Sequence, residues 1–87
     1  MLDRDRMMMA NLREVATAAM TIIDSIQIKP AHIQAPAVAA VIILLAEDWG
    51  VPVTDVLEAA GHMVKDADGG KRLEFKAIAD YIKNELK

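Results

Sequence analysis

Few residues in this chain could do chemistry, and their spacing decides how they are read. Glu58, His62 and Asp66 recur every four residues, so on a helix an imidazole and two carboxylates share one face, a donor set suited in principle to a divalent cation. The same spacing produces an ordinary wet face with weak pairing between His and its acidic neighbours, and that is the reading adopted. Asp66-Ala67-Asp68-Gly69-Gly70 invites comparison with a calcium loop. In that register the sixth position is Lys71 instead of Gly and the twelfth is Ala77 instead of the bidentate Glu, so the segment reads as a helix stop and a solvated loop. His32 stands alone, and Ser25, Thr17, Thr21 and Thr54 lie in no nucleophile motif. No glycine-rich phosphate loop is present. No catalytic residue, cofactor or metal is expected, and the chain is read as not an enzyme.

The most informative local pattern is LAEDWGVPVTDV, Leu45 to Val56. Counted from Ile42 as position one, Ala46, Gly50, Val51 and Val56 fall on positions five, nine, ten and fifteen of a DNA-binding helix-turn-helix. A small Ala permits close helix approach, Gly permits the turn, and the valines pack one helix on the other. The stretch resembles that motif in geometry. Its second helix offers Pro52, Val53, Thr54, Asp55, Leu57, Glu58 and Gly61, none of which supplies the Arg, Lys, Asn or Gln contacts that read bases, and the two acids repel phosphate.

The elements that must position these residues follow from apolar periodicity. Met8, Leu12, Val15, Ala16, Ala19, Ile22, Ile23 and Ile26 predict a first helix over about 3–27, stopped by Lys29-Pro30. A connector, Ile28 to Gln34, precedes a second helix over 36–49, opened by Pro36 and closed by Gly50. Val38, Val41, Ile42, Ile43, Leu44 and Leu45 make it apolar almost all round, so it must be covered on all sides. A third helix over 54–66 takes Thr54 as N-cap, and a fourth over 73–86 sets Phe75, Ile78, Ala79, Ile82 and Leu86 on one stripe. The chain therefore reads as a single all-α domain over 1–87: a small four-helix bundle with a corner at Gly50, completed by dimerisation. The first two helices are expected to make its largest contact.

Composition narrows the class. With 87 residues, 54% hydrophobic and 26% charged, the chain is too apolar for disorder and too short for separate cofactor and substrate domains. It has no Cys, so neither a disulfide framework nor a thiolate zinc site can staple so small a core, and association is the remaining help. The net charge of -3 is unevenly spread, with six acids and one base over 30–70. This argues against a broad nucleic-acid surface. The strongly apolar run Ala35 to Ala46 is twelve residues, short of the ~18–20 that span a bilayer, so it is expected to be a core helix, with no membrane contact. No secretory signal is visible at the N-terminus, and cytoplasmic residence is the default expectation. Met7, Met8 and Met9 spread around any helix that holds them, so some face outward or toward a partner. Trp49 reads as a core anchor beside the turn.

The run VAAVIILLAEDWGVPVTDVLEAAGHMV followed by FKAIADYIKNEL, residues 38–86, looks like small helical proteins of bacteriophages and prophages. Such proteins bring no functional residues to carry over. What the resemblance implies is a setting, in which a compact accessory factor acts by binding a host or phage protein. The expected function is thus a protein-binding module working as a homodimer. Its dimer interface is drawn from Leu12, Val15, Ala19, Val38, Val41, Ile42 and Leu45. The expected partner face is the acidic one, Asp48, Asp55, Glu58, His62 and Asp66, whose charge would speed the approach of a basic protein. The other candidate is the N-terminal Arg4, Arg6 and Met7 to Met9. The alternative function is a helix-turn-helix regulator of transcription, for which Lys71, Arg72, Lys76 and Lys83 form the available basic cluster.

Overall fold

The structure, a computed structural model, describes residues 4–86. Among these residues it has five helices and no strand: α1 (Arg4–Met8), α2 (Leu12–Ile26), α3 (Ala31–Trp49), α4 (Val53–Val64) and α5 (Leu73–Glu85). The all-α class holds.

The single helix expected over 3–27 is two helices, and its first residue lies outside the described residues. Asn11 makes the break. Its backbone is extended, and its side-chain Oδ1 accepts the Glu14 amide at 3.0 Å. Asn with Glu three positions on is the signature of a capped N-terminus, so the chain restarts a helix there although no Gly or Pro intervenes.

The next helix begins five residues earlier than Pro36 suggests. Pro30 is the N-cap, and its carbonyl accepts the amides of Ile33 at 2.9 Å and Gln34 at 3.0 Å. Pro36 lies inside α3, where it removes the donor that the His32 carbonyl would otherwise receive. The connector shrinks to residues 27–30, clipped by Gln34, whose amide donates to the carbonyls of Lys29 at 2.7 Å and Ile26 at 3.2 Å. One side chain of α3 thereby satisfies orphan carbonyls at the end of α2.

Gly50 ends α3 as expected. At φ 74° it is left-handed; its amide reaches the Ala46 and Glu47 carbonyls, and the Val51 amide reaches Ala46 at 3.2 Å. This is the six-to-one and five-to-two pairing of a Schellman cap. The N-cap of α4 is Pro52 and not Thr54, because the Pro52 carbonyl already accepts the Asp55 amide at 3.0 Å and Thr54 lies within the first helical turn. α4 stops at Val64, and a tight loop returns to α5. There Asp66 Oδ1 accepts the amides of Asp68 and Gly70, both at 3.0 Å, and Gly69 supplies the second positive φ, 85°. The Arg72 amide donates to Val64 at 2.8 Å, which zips the two helix ends together.

The hydrophobic centre joins α2, α4 and α5 through Ala16, Met63 and Phe75, with Ala10, Leu12, Val15, Val64 and Ile78 packed around them. Ala46 and Ala59, 3% and 2% exposed, sit on α3 and α4, which pack against each other at the corner. The expectation that the first two long helices make the largest contact is corrected. α2 packs chiefly on α5, and α3 on α4.

The expectation of a core helix is corrected too. α3 runs 19 residues, and its apolar 18-residue stretch, of mean hydropathy 1.4, is only 6% buried. By length and composition alone it is long and apolar enough to cross a membrane, which the twelve-residue run did not suggest.

The far end of α5 is tied to α2 by the Tyr81 hydroxyl, which donates to Gln27 Oε1 at 2.6 Å. Partial burial, then the carboxylates of Asp24 and Glu85, push the Tyr81 hydroxyl above its ordinary pKa. The donor is the protonated form, so this link is complete below the unfolded-state value and is lost as pH rises through the folded one. Thermal melts should lose stability in that alkaline window, and Tyr81→Phe should flatten the loss. Because Tyr81 is the single tyrosine, its absorbance titration follows the same event directly.

Candidate interaction surfaces

Two surfaces stand out. The first is an open groove of about 330 Å³ between α2 and α3, lined by Ile22, Ser25, Ile26, Val38, Val41 and Leu45, among others. The helix periods explain it. On α3, positions 34, 38, 41 and 45 recur at four-three-four spacing, and 33, 37, 40 and 44 form a second such seam beside it. Val38, Val41 and Leu45 of the first seam and Ala37 of the second line the groove, while Ile33 and Leu44 of the second are exposed outside its lining. Leu44 is 63% exposed and Val41 56%, values that in a folded chain mark uncovered side chains.

The wall from α2 is less polar than its sequence implies. Thr17, Thr21 and Ser25 each donate a hydroxyl proton to the carbonyl four residues before, at 2.8, 3.1 and 3.1 Å. With its proton engaged in the helix, Ser25 interrupts the apolar lining little.

The expected dimer residues divide between two environments. Val38, Val41, Ile42 and Leu45 line the groove together. Leu12 and Val15 pack against the chain's own centre, and Ala19 is half-buried outside the groove lining. Ile22 and Ile26 contribute the α2 wall instead. Their place one and two turns further along the same apolar stripe was the available signal.

The second surface is the acidic one. Asp48, Glu58, His62 and Asp66 are exposed and Asp55 is half-buried in the first turn of α4, where a carboxylate suits the helix dipole. Glu58 Oε1 and His62 Nε2 lie 3.9 Å apart, both well exposed, a contact worth little in water. Asp66 is engaged with its own loop, so it does not complete a three-residue cluster with them. Among the described residues no group of three or more His, Asp or Glu is placed to hold a metal ion, and no polar side chain is buried. The Arg72 Nε donates to the His62 carbonyl at 3.3 Å, so one member of the basic cluster is used to close the end of α4.

The helix-turn-helix spacing also has its structural counterpart. Ala46 is buried, Gly50 is left-handed, and Val51 in the turn and Val56 on α4 are half-buried. Trp49 is half-buried beside this turn. Comparison with family models, curated proteins and solved structures finds no match for this chain.

Proposed function

We propose that the chain is a non-enzymatic helical protein-binding module that works in the cytoplasm as a homodimer, of the kind used by phage accessory or host-interaction factors. It would present the acidic face of Asp48, Asp55, Glu58, His62 and Asp66 to a basic protein. One observation carries the reading: only 6% of the residues in the apolar 18-residue stretch of α3 are buried by the chain itself, which leaves a surface that another polypeptide could cover. Asp55, Glu58 and His62 of the acidic face lie on the following helix and outside the groove lining, so they would remain available with the groove covered.

The test combines Asp55→Lys with Glu58→Lys. Removing Asp55 from the first turn of α4 costs about 0.3–1 kcal/mol, so the variant should stay folded by circular dichroism. Pulled through a bacterial lysate beside the wild type, it should lose a basic partner at least tenfold. Unchanged capture and unchanged salt dependence of that partner would remove the acidic face from the proposal.

The corner at Gly50 supports a second reading, a helix-turn-helix regulator of transcription. A regulator binds random duplex DNA at low salt and loses affinity steeply as salt rises. The acidic α4 predicts no such binding.

A further inference from the structure

We propose that a second copy of this chain fills the groove, with the two α3 helices antiparallel about a two-fold axis at Val41. This rests on the homodimer reading and adds its geometry.

Area supports the choice of occupant. The uncovered parts of Ile22, Ile33, Val38, Val41, Leu44 and Leu45 amount to roughly 600 Å² per copy, the top of the ~300–600 Å² reached by the largest patch of a monomer. It is also most of the ~800 Å² that each partner buries in a standard interface. The groove has one wall from α2 and one from α3, so apolar side chains from a third helix laid along it would enter between them. A second α3 supplies that helix, and the same patch then serves on both copies, as a two-fold interface requires.

Charge sets the direction. Asp48 lies one heptad step beyond Val41, on the same seam, and Glu47 adjoins it at the C-terminal end of α3. Lys29 and His32 lie at the other end. A parallel pair brings the acids of both copies together at the negative end of two helices. An antiparallel pair centred on Val41 sets Asp48 opposite Gln34 of the second copy, near the positive end of its α3, whose first turn holds no acid and whose Pro30 cap provides no side-chain hydrogen bond. The same register sets Ala37 opposite Leu45, small against large. Val41 meets its own counterpart on the axis.

Because the chain has no Cys, single replacements read this geometry directly. Ala37, Val41 and Leu45 are all exposed in one copy, so Ala37→Cys, Val41→Cys and Leu45→Cys should fold as the wild type does by circular dichroism. Light scattering at micromolar concentration should give a dimer. Under mild oxidation Val41→Cys should cross-link to itself. Ala37→Cys should not, since its two copies lie about 12 Å apart along the axis, beyond disulfide reach. A mixture of Ala37→Cys with Leu45→Cys should form the mixed disulfide.

Self-linking of Ala37→Cys within a dimer would overturn the antiparallel arrangement while leaving the homodimer standing. A dimer in which the mixture gives no mixed disulfide would overturn the register at Val41. A monomer in solution would overturn both the geometry and the homodimer. A monomer that also co-sediments with phosphatidylcholine vesicles would identify lipid as what α3 meets.

Discussion

Phe75→Ala should abolish the cooperative thermal unfolding of this chain or lower its midpoint by tens of degrees. Phe75 is one of five buried hydrophobic residues among those described, and it links α5 to Ala16 of α2 and Met63 of α4. Truncating a buried Phe costs about 3–5 kcal/mol. A chain of 87 residues has roughly 4–13 kcal/mol of stability in all, at ~0.05–0.15 kcal/mol per residue. Of the two buried residues clustered with it, Ala16 is too small to close over the cavity, and only the adaptable Met63 could fill part of it. Phe75→Leu retains most of the volume and should fold with a lowered midpoint. A melt of Phe75→Ala within a few degrees of wild type, followed at 222 nm, would mean that the stability resides elsewhere.

Gly50→Val has the second largest expected effect. At φ 74° any Cβ approaches the neighbouring carbonyl, at a cost of about 1–2 kcal/mol, and a β-branched side chain fits this region worst. The Schellman bonds from Gly50 and Val51 and the close seat of Ala46 depend on the same backbone turn. The melting midpoint should fall by about 5–15 °C, at ~4–8 °C per kcal/mol for a domain this small. Gly50→Asn, which tolerates left-handed backbone, should recover much of the loss. Trp49, the single tryptophan, should report the change at the corner through its emission.

The corner and α5 were legible because each depends on local chemistry: a glycine at a forced φ, and a stripe led by Phe75. The break at Asn11 was hidden by residues that all favour helix, though the Asn-to-Glu14 capping pair was present in the sequence. Pro36 misled for a related reason. Proline is at home in the first turn, but Pro30 had already opened the helix, and a second proline near its start carries no independent boundary signal. Burial was the least legible property. Periodicity assigns a face to Leu12, Val15, Val38 and Val41 alike, yet the chain covers only the first two with helices of its own. Which face finds a neighbour depends on how α2 and α3 diverge, and no spacing in the sequence encodes that divergence. The acidic face was legible as a set on one stretch of chain, except that Asp66 turns back into its loop.

The clip at Gln34 and the cap at Gly50 hold α3 at both ends while its middle stays uncovered. Between them the helix contains five alanines, the residue that gives up least conformational freedom on becoming helical. Its backbone is thus ordered before any second chain arrives. In the proposed dimer, association would join rigid rods rather than fold one segment upon another, so the entropy lost at the encounter would be mainly that of overall tumbling and a few side-chain rotamers. Binding of this kind can be fast and reversible even where the buried area is modest.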